Sequence, residues 1–239
     1  MRAYEKNRKS MIRLGILCGV LCLAVVGLLV FRVLIWSENR QQTRLLVLVN
    51  DWNGVDSANF KVKLQKLQCG AEVDSHCASD LEQMLTDCRL AGCDPVVVCG
   101  YRDREEQKKL YEKEYSLYIE QGKTCDEATV LSSRKVSRPG RSEHELGLSV
   151  DIVDGSYREL DQKQEETHTA KWLRENAGRY GFVLRYPENS ESVTGMVYQP
   201  WHYRYVGKKA AEQMKELGIC LEEYVQMFFP EKAVIVHEK

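Results

Sequence analysis

The chain reads as an α+β protein, a central antiparallel sheet flanked by helices and preceded by one N-terminal transmembrane helix. Three observations predict it. Arg2, Lys6, Arg8, Lys9 and Arg13 precede an uncharged run from Leu14 to Phe31. Beyond that run, short β-branched or alternating segments are scattered irregularly among capped amphipathic helices, an order that favours α+β. With 239 residues there is room for one substantial domain that buries a core without staples.

The apolar run is long enough for a bilayer, which takes about 20 such residues. Only Arg32 interrupts its continuation Val33-Leu34-Ile35-Trp36, and near the outer end it can snorkel to the interface beside Trp36. The basic flank belongs in the cytoplasm, which sends everything after Trp36 outside. A cleaved signal peptide would carry a shorter apolar stretch and a small-residue cleavage site, and Val30-Phe31-Arg32-Val33 is a poor one. Gly15-Ile16-Leu17 lacks the small residues expected before a lipidated cysteine at Cys18. The expected organisation is a cytoplasmic basic segment 1–13, a transmembrane signal anchor 14–36, a linker 37–44, an extracytoplasmic domain 45–231 and a tail 232–239.

Lys plus Arg number 34 against 35 Asp plus Glu, and a net charge of -1 gives no reason to expect a nucleic acid partner. Of nine cysteines, Cys18 and Cys22 lie in the span and an odd number remain outside it, so at least one is unpaired or pairs between chains. In an oxidising compartment Cys69 with Cys77, or Cys88 with Cys93, could close short loops. No C-x-x-C pair supports a cysteine zinc site, and buried thiols are the favoured reading. Oligomeric state leaves no signal.

Leu45 to Val49 is a strand candidate. Ser79-Asp80-Leu81-Glu82 has capping-box form and opens a helix with Leu81, Met84, Leu85 and Cys88 on its apolar face, stopped at Gly92. Pro95 to Cys99 reads as a buried strand. Asp103 caps a helix from Arg104 to about Glu120 with Glu106 as reciprocal partner, and Gln107 lies on its inner face. Thr124 and Glu127 form a second capping box, leading a helix to about Val136; Ser137-Arg138-Pro139-Gly140 then turns the chain. Gly147 to Val153 alternates so that Asp151 points away from Leu148, Val150 and Ile152. A helix near Thr169 to Tyr180, a strand Phe182 to Tyr186, a polar loop to Gly195, a strand Met196 to Val206 and helices Lys208 to Leu217 and Leu221 to Phe229 complete the order.

The chemistry centres on Ser142-Glu143-His144-Glu145-Leu146-Gly147-Leu148-Ser149-Val150-Asp151 and on Tyr198-Gln199-Pro200-Trp201-His202. Catalytic zinc takes three protein ligands from His, Asp or Glu and keeps one position open, and His144, Asp151 and His202 fit that count. His76, His168 and His237 lie in polar or terminal surroundings and read as surface residues.

Ser142-x-His144-x-x-Gly147-x-x-x-Asp151 with Pro200-Trp201-His202, preceded by Gly100-Tyr101-Arg102 and Gln107, resembles the VanY-type D-alanyl-D-alanine carboxypeptidases. These belong to the zinc peptidase group that includes lysostaphin-type enzymes and the hedgehog domain. The likeness runs from about Leu45 to Gly207, with Trp172-Leu173, Tyr180-Gly181-Phe182 and Arg204-Tyr205-Val206-Gly207 adding to it. It implies a single zinc peptidase domain over 45–231, held on the outer face of the cell membrane, that removes the C-terminal D-alanine from peptidoglycan stem peptides. In that scheme His144, Asp151 and His202 hold Zn2+, Arg102 stabilises the developing oxyanion or binds substrate carboxylate, and Gln107 and Ser142 hydrogen-bond the peptide. Trp201 is expected to pack under the metal site rather than touch substrate.

One position departs from the family pattern. A glutamate three residues before the last histidine serves there as general base for the attacking water, and here that position is Gln199. An amide can orient water but cannot take its proton. Either the substitution was made to trap substrate, or another carboxylate such as Glu143 or Glu145 takes the proton, or the domain binds wall peptide without cutting it. Glu143 and Glu145 themselves read as solvated loop carboxylates. A further alternative is a hedgehog-like interaction domain with structural zinc.

Overall fold

The computed structural model describes Arg32, residues 44–55 and residues 60–230. The chain divides into two compact units, Met1–Arg44 and Leu45–Lys239. In the first, Arg32 is helical and exposed. The expected span 14–36 otherwise falls outside the described residues, as do the basic segment 1–13, the tail 232–239 and His237. Among the described residues no helix is long and apolar enough to cross a membrane.

The second unit begins with a hairpin, β1 (Leu64–Lys66) against β2 (Glu72–Asp74). All three β1 residues are exposed, so no alternation marked it in the sequence. Helix α1 (Ser75–Leu90) starts a turn earlier than the Ser79 capping box suggests, because the Asp74 carboxylate accepts from His76 N and caps it first. Its buried face is Cys77, Ala78, Leu81, Met84, Leu85 and Cys88. Next come β3 (Pro95–Cys99), α2 (Arg104–Glu120) and α3 (Cys125–Lys135). Both of these helices carry the expected reciprocal capping boxes, Asp103 with Glu106 and Thr124 with Glu127. A 3₁₀ helix (Glu143–Leu146) leads into β4 (Ser149–Asp154). Helix α4 (His168–Asn176) runs on as a 3₁₀ turn to Tyr180, followed by β5 (Phe182–Leu184) and a short α5 (Glu191–Thr194) in the expected polar loop. Strand β6 (His202–Tyr205) and helices α6 (Lys208–Leu217) and α7 (Leu221–Phe228) finish the unit.

Four strands form one antiparallel sheet in the order β3-β4-β6-β5. The main core joins α1 to this sheet through residues such as Leu81, Met84, Leu148, Val150, Ile152 and Tyr203. A smaller core beneath α6 and α7 gathers Leu46, Val206, Met214 and Val225. Strand β3 is an edge, so Val98 is 43% exposed and the expectation of a fully buried strand is corrected. Met196 to Val206 is strand only from His202, because residues 199–202 turn, with His202 N donating to the Gln199 carbonyl.

Leu45 to Val49 is not a strand. Strand β6 already has a neighbour on each side, and two of the segment's carbonyls accept instead from one guanidinium: Arg204 Nη2 donates to Leu45 O and Val47 O, both at 2.9 Å. Arg204 belongs to a buried lattice. Its Nη1 and Arg185 Nε share Glu143 Oε1 at 2.7 and 2.8 Å, and Arg185 is held again by Glu222 at 2.6 and 2.8 Å. Breaking such a lattice from one side leaves charge unpaired in the interior. Arg204→Met is therefore expected to lower the free energy of unfolding by about 3–5 kcal/mol, read by urea denaturation.

Candidate metal centre and peptide cleft

Strand register assembles the site. Asp151 on β4 stands opposite His202 on β6, and on its other side opposite Cys99 on β3. The second pairing depends on a bulge between Val97 and Cys99, which shifts the register by one residue at the end of the strand. His144 arrives from outside the sheet, on the 3₁₀ helix that Ser142 caps through its hydroxyl. That helix ends at Gly147, in a left-handed conformation (φ 66) where a Cβ would come within 2.8 Å of Asp74 N. The glycine of the motif thus lets the chain reverse from His144 into β4 against the start of α1.

The three predicted ligands come together around one carboxylate. His144 Nε2 is 3.3 Å from Asp151 Oδ2, His202 Nδ1 is 3.0 Å from Asp151 Oδ1, and the two rings meet edge to face at 5.0 Å between centroids. Burial opposes charge on Asp151, but the two imidazoles overcome it and hold the carboxyl well below the usual range. Burial likewise disfavours a charged His144, and Asp151 and Cys99 outweigh it, pushing its pKa up to about 10. The remote nitrogen of each ring faces an oxygen. His144 Nδ1 is 2.7 Å from the Gly100 carbonyl, and His202 Nε2 faces Glu143 Oε2 at 3.5 Å. Tyr186 lies against the His202 ring at 4.9 Å.

Cys99 is the member that sequence reasoning missed. Among the described residues, Cys99, His144 and Asp151 form the set whose ligand atoms all lie within 4.8 Å of one another. Its Sγ is 3.6 Å from His144 Nδ1, the ring edge already engaged by Gly100, and it accepts from Arg102 Nη2 at 2.9 Å. Burial alone would raise the thiol, and the His144 ring beside it brings it below the ordinary value. Its place directly before Gly100-Tyr101-Arg102 was the one available signal. None of the seven described cysteines is in a disulfide, including the pairs Cys69 with Cys77 and Cys88 with Cys93. Cys69 and Cys125 are exposed rather than buried.

A cleft of about 560 Å³ opens over these groups, and Arg102, Ser142, Tyr186, Gln199 and Trp201 line it with His144, Asp151 and His202. Trp201, expected to pack under the metal site, is among the residues that line the cleft. Arg102 is fixed from three sides: Nη1 donates to Gln107 Oε1 at 2.7 Å, Nη2 contacts Cys99, and its backbone N donates to the His144 carbonyl at 3.2 Å. Gln107 is 1% exposed and its amide nitrogen donates to the Ser137 carbonyl at 2.6 Å. Both ends of its amide are thus engaged within the protein, and it braces Arg102. Gln199 Nε2 donates to the Lys135 carbonyl at 3.0 Å, leaving its side-chain oxygen as an acceptor.

Glu143 and Glu145 are not solvated. Both are buried, Glu143 within its arginine lattice and Glu145 accepting from Gly140 N at 2.7 Å, where it pins the Pro-Gly turn. Burial works against ionisation of Glu143, yet Arg185 and Arg204 hold it far below the carboxylate range. A carboxylate so reluctant to take a proton is a poor substitute base.

Comparisons with known proteins agree on one family. The VanY profile, described as D-alanyl-D-alanine carboxypeptidase, matches residues 70–208. A D-alanyl-D-alanine carboxypeptidase of Enterococcus faecalis (strain ATCC 700802 / V583) is 37% identical over 190 residues, covering 79% of this chain and 68% of that protein. The putative carboxypeptidase YodJ of Bacillus subtilis (strain 168) is 37% identical over 169 residues, covering 70% of this chain and 57% of that protein. Among solved structures, a mutant of a vancomycin-resistance D,D-pentapeptidase VanY from a VanB-type cassette, in complex with Zn(II), superposes with a TM-score of 0.69 at 36% identity, covering 76% of this chain and 99% of that one. The LdcB LD-carboxypeptidase gives 0.64 at 33% identity, covering 75% and 84%.

Proposed function

The chain belongs to the VanY D-alanyl-D-alanine carboxypeptidase family, and from that premise we propose that it is a membrane-anchored zinc carboxypeptidase that removes the terminal D-alanine from peptidoglycan stem peptides, with turnover reduced by Gln199. The anchor is the apolar run 14–36, which presents the domain outside the cell. The observation that carries the reading is the buried Asp151 between two imidazoles, each with its far nitrogen backed by an acceptor. That donor set suits zinc, since neutral imidazoles oriented by outer partners are its usual ligands.

His144 Nε2, Asp151 and His202 Nδ1 would hold the ion. Bound zinc supplies Lewis acidity, which activates water near neutral pH and polarises the scissile carbonyl. Arg102, with its fork held by Gln107 and Cys99, offers its remaining donors to the substrate carboxylate or to the oxygen that gains charge. Ser142 keeps a hydroxyl proton to donate to the peptide while its oxygen caps His144. Gln199 accepts a hydrogen bond from the attacking water and orients it, and it cannot carry the proton to the leaving amine.

The amide at Gln199 also favours a second reading, a zinc domain that binds wall peptide without cutting it. D-alanine release from a stem pentapeptide and tetrapeptide by the zinc-loaded full-length protein and by Gln199→Glu separates the two. Release by either form supports the peptidase; zinc bound and no release from both would sink it. Calorimetry would then decide for the binder if pentapeptide binds without turnover. In either reading Arg102→Ala is expected to weaken peptide recognition about 10²- to 10³-fold, seen in kcat/KM for the enzyme or Kd for the binder.

A further inference from the structure

Two buried side-chain atoms at this site, Glu143 Oε2 and His202 Nε2, have no hydrogen-bond partner among the described residues, and they face each other at 3.5 Å. The other oxygen of Glu143 is committed: Oε1 takes Arg185 Nε at 2.8 Å and Arg204 Nη1 at 2.7 Å. Both arginines are anchored elsewhere, Arg185 by Glu222 and Arg204 by the Leu45 and Val47 carbonyls. The carboxylate is thus held by one edge with its other oxygen presented to the ring. On its opposite side the ring meets a second carboxylate, with Nδ1 3.0 Å from Asp151 Oδ1. A neutral imidazole has one N–H and cannot donate to both. The conflict disappears if the N–H is on Nε2, towards Glu143, and the Nδ1 lone pair is turned to a cation shared with Asp151.

We propose that Glu143 is a positioning residue which fixes His202 as the Nε2–H tautomer and thereby makes Nδ1 the metal-ligating atom. The proposal rests on the zinc reading of the site. It gives the residue between Ser142 and His144 a task apart from general-base chemistry, and it explains why a carboxylate is kept so deep beside the cleft.

Glu143→Gln tests it with little change of volume. The two guanidiniums on Oε1 require an oxygen at that position, so the amide nitrogen must face His202, where a donor forces Nε2 to accept and moves the ring proton to Nδ1. A wrong tautomer imposed by an amide in place of an orienting carboxylate is a known way to disable a histidine. Zinc affinity of the full-length protein in detergent, measured by chelator competition, is expected to fall about 10- to 100-fold, the usual loss when an outer partner of a metal-bound histidine is removed. Glu222→Gln, which loosens Arg185 without touching His202, is expected to lower thermal stability and leave zinc affinity within twofold. An equal loss of affinity in Glu222→Gln would show a merely structural role and overturn the proposal, as would a folded Glu143→Gln that binds zinc like the wild type. Should Glu143→Gln fail to fold, ¹⁵N spectra of histidine-labelled, zinc-loaded wild type decide: a protonated Nε2 on His202 supports the assignment and a protonated Nδ1 overturns it. A wild type that takes up no zinc is a different failure, and it removes the metal reading itself.

Discussion

Gln199→Glu is expected to raise turnover of a stem pentapeptide about 10²- to 10⁴-fold, the range that general acid–base assistance usually supplies. The side chain already sits in the cleft wall with His144, Asp151 and His202, so the new carboxylate needs no rebuilding of the site. What changes is its partner. Gln199 gives an N–H to the Lys135 carbonyl at 3.0 Å, and a carboxylate has none to give. Oxygen facing oxygen either turns the glutamate into the cleft or raises its proton affinity, and a carboxylate whose proton affinity approaches the working pH is a better base. D-alanine release at saturating zinc measures the effect. A variant no faster than the wild type would place the proton transfer elsewhere, and among the described residues Glu143 and Glu145 are both tied down by other partners.

Asp151→Asn is expected to lower zinc affinity by more than the roughly 100-fold that loss of an outer-shell partner costs. One carboxylate serves both rings, Oδ2 towards His144 and Oδ1 towards His202. An asparagine keeps a single oxygen and sets an N–H against one of the two nitrogens, so a ligand and a charge vanish together. Chelator competition reads the loss. The zinc-free protein provides a second measurement. The folded pKa of His144, about 10, lies above its ordinary value of 6.5, so the stabilisation it carries is complete below pH 6.5 and disappears as pH rises towards 10. Asp151 is the largest source of that rise. Urea denaturation of zinc-free wild type should therefore show an alkaline loss of stability that is much smaller in Asp151→Asn, and equal alkaline limbs would place the cause elsewhere.

Local signals were legible where physics is local. The Asp103 and Thr124 capping boxes, the buried position of Gln107 and the apolar face of α1 depend on residues within one or two turns of each other. Leu45 to Val49 misled because its composition suits a strand while its carbonyls are claimed by Arg204, a residue about 160 positions away. Glu143 misled for a related reason: a loop carboxylate between polar neighbours looks solvated until Arg185 and Arg204 arrive from other parts of the chain, whereas Glu145 is held by the nearby Gly140 N–H. Cys99 reached the site through a bulge, which leaves no mark in a run of valines.

By itself the sequence determined the family, the α+β class and the amide at position 199, and it pointed to His144, Asp151 and His202 as candidate ligands, because each of these is a matter of residue identity and spacing along the chain. Only the tertiary structure decided which ring nitrogen faces Asp151, that Gln107 braces Arg102, that Trp201 lines the cleft and that Glu143 lies behind His202. Those depend on strand register and on charge pairs between distant segments, where a shift of one residue reverses the direction of a side chain.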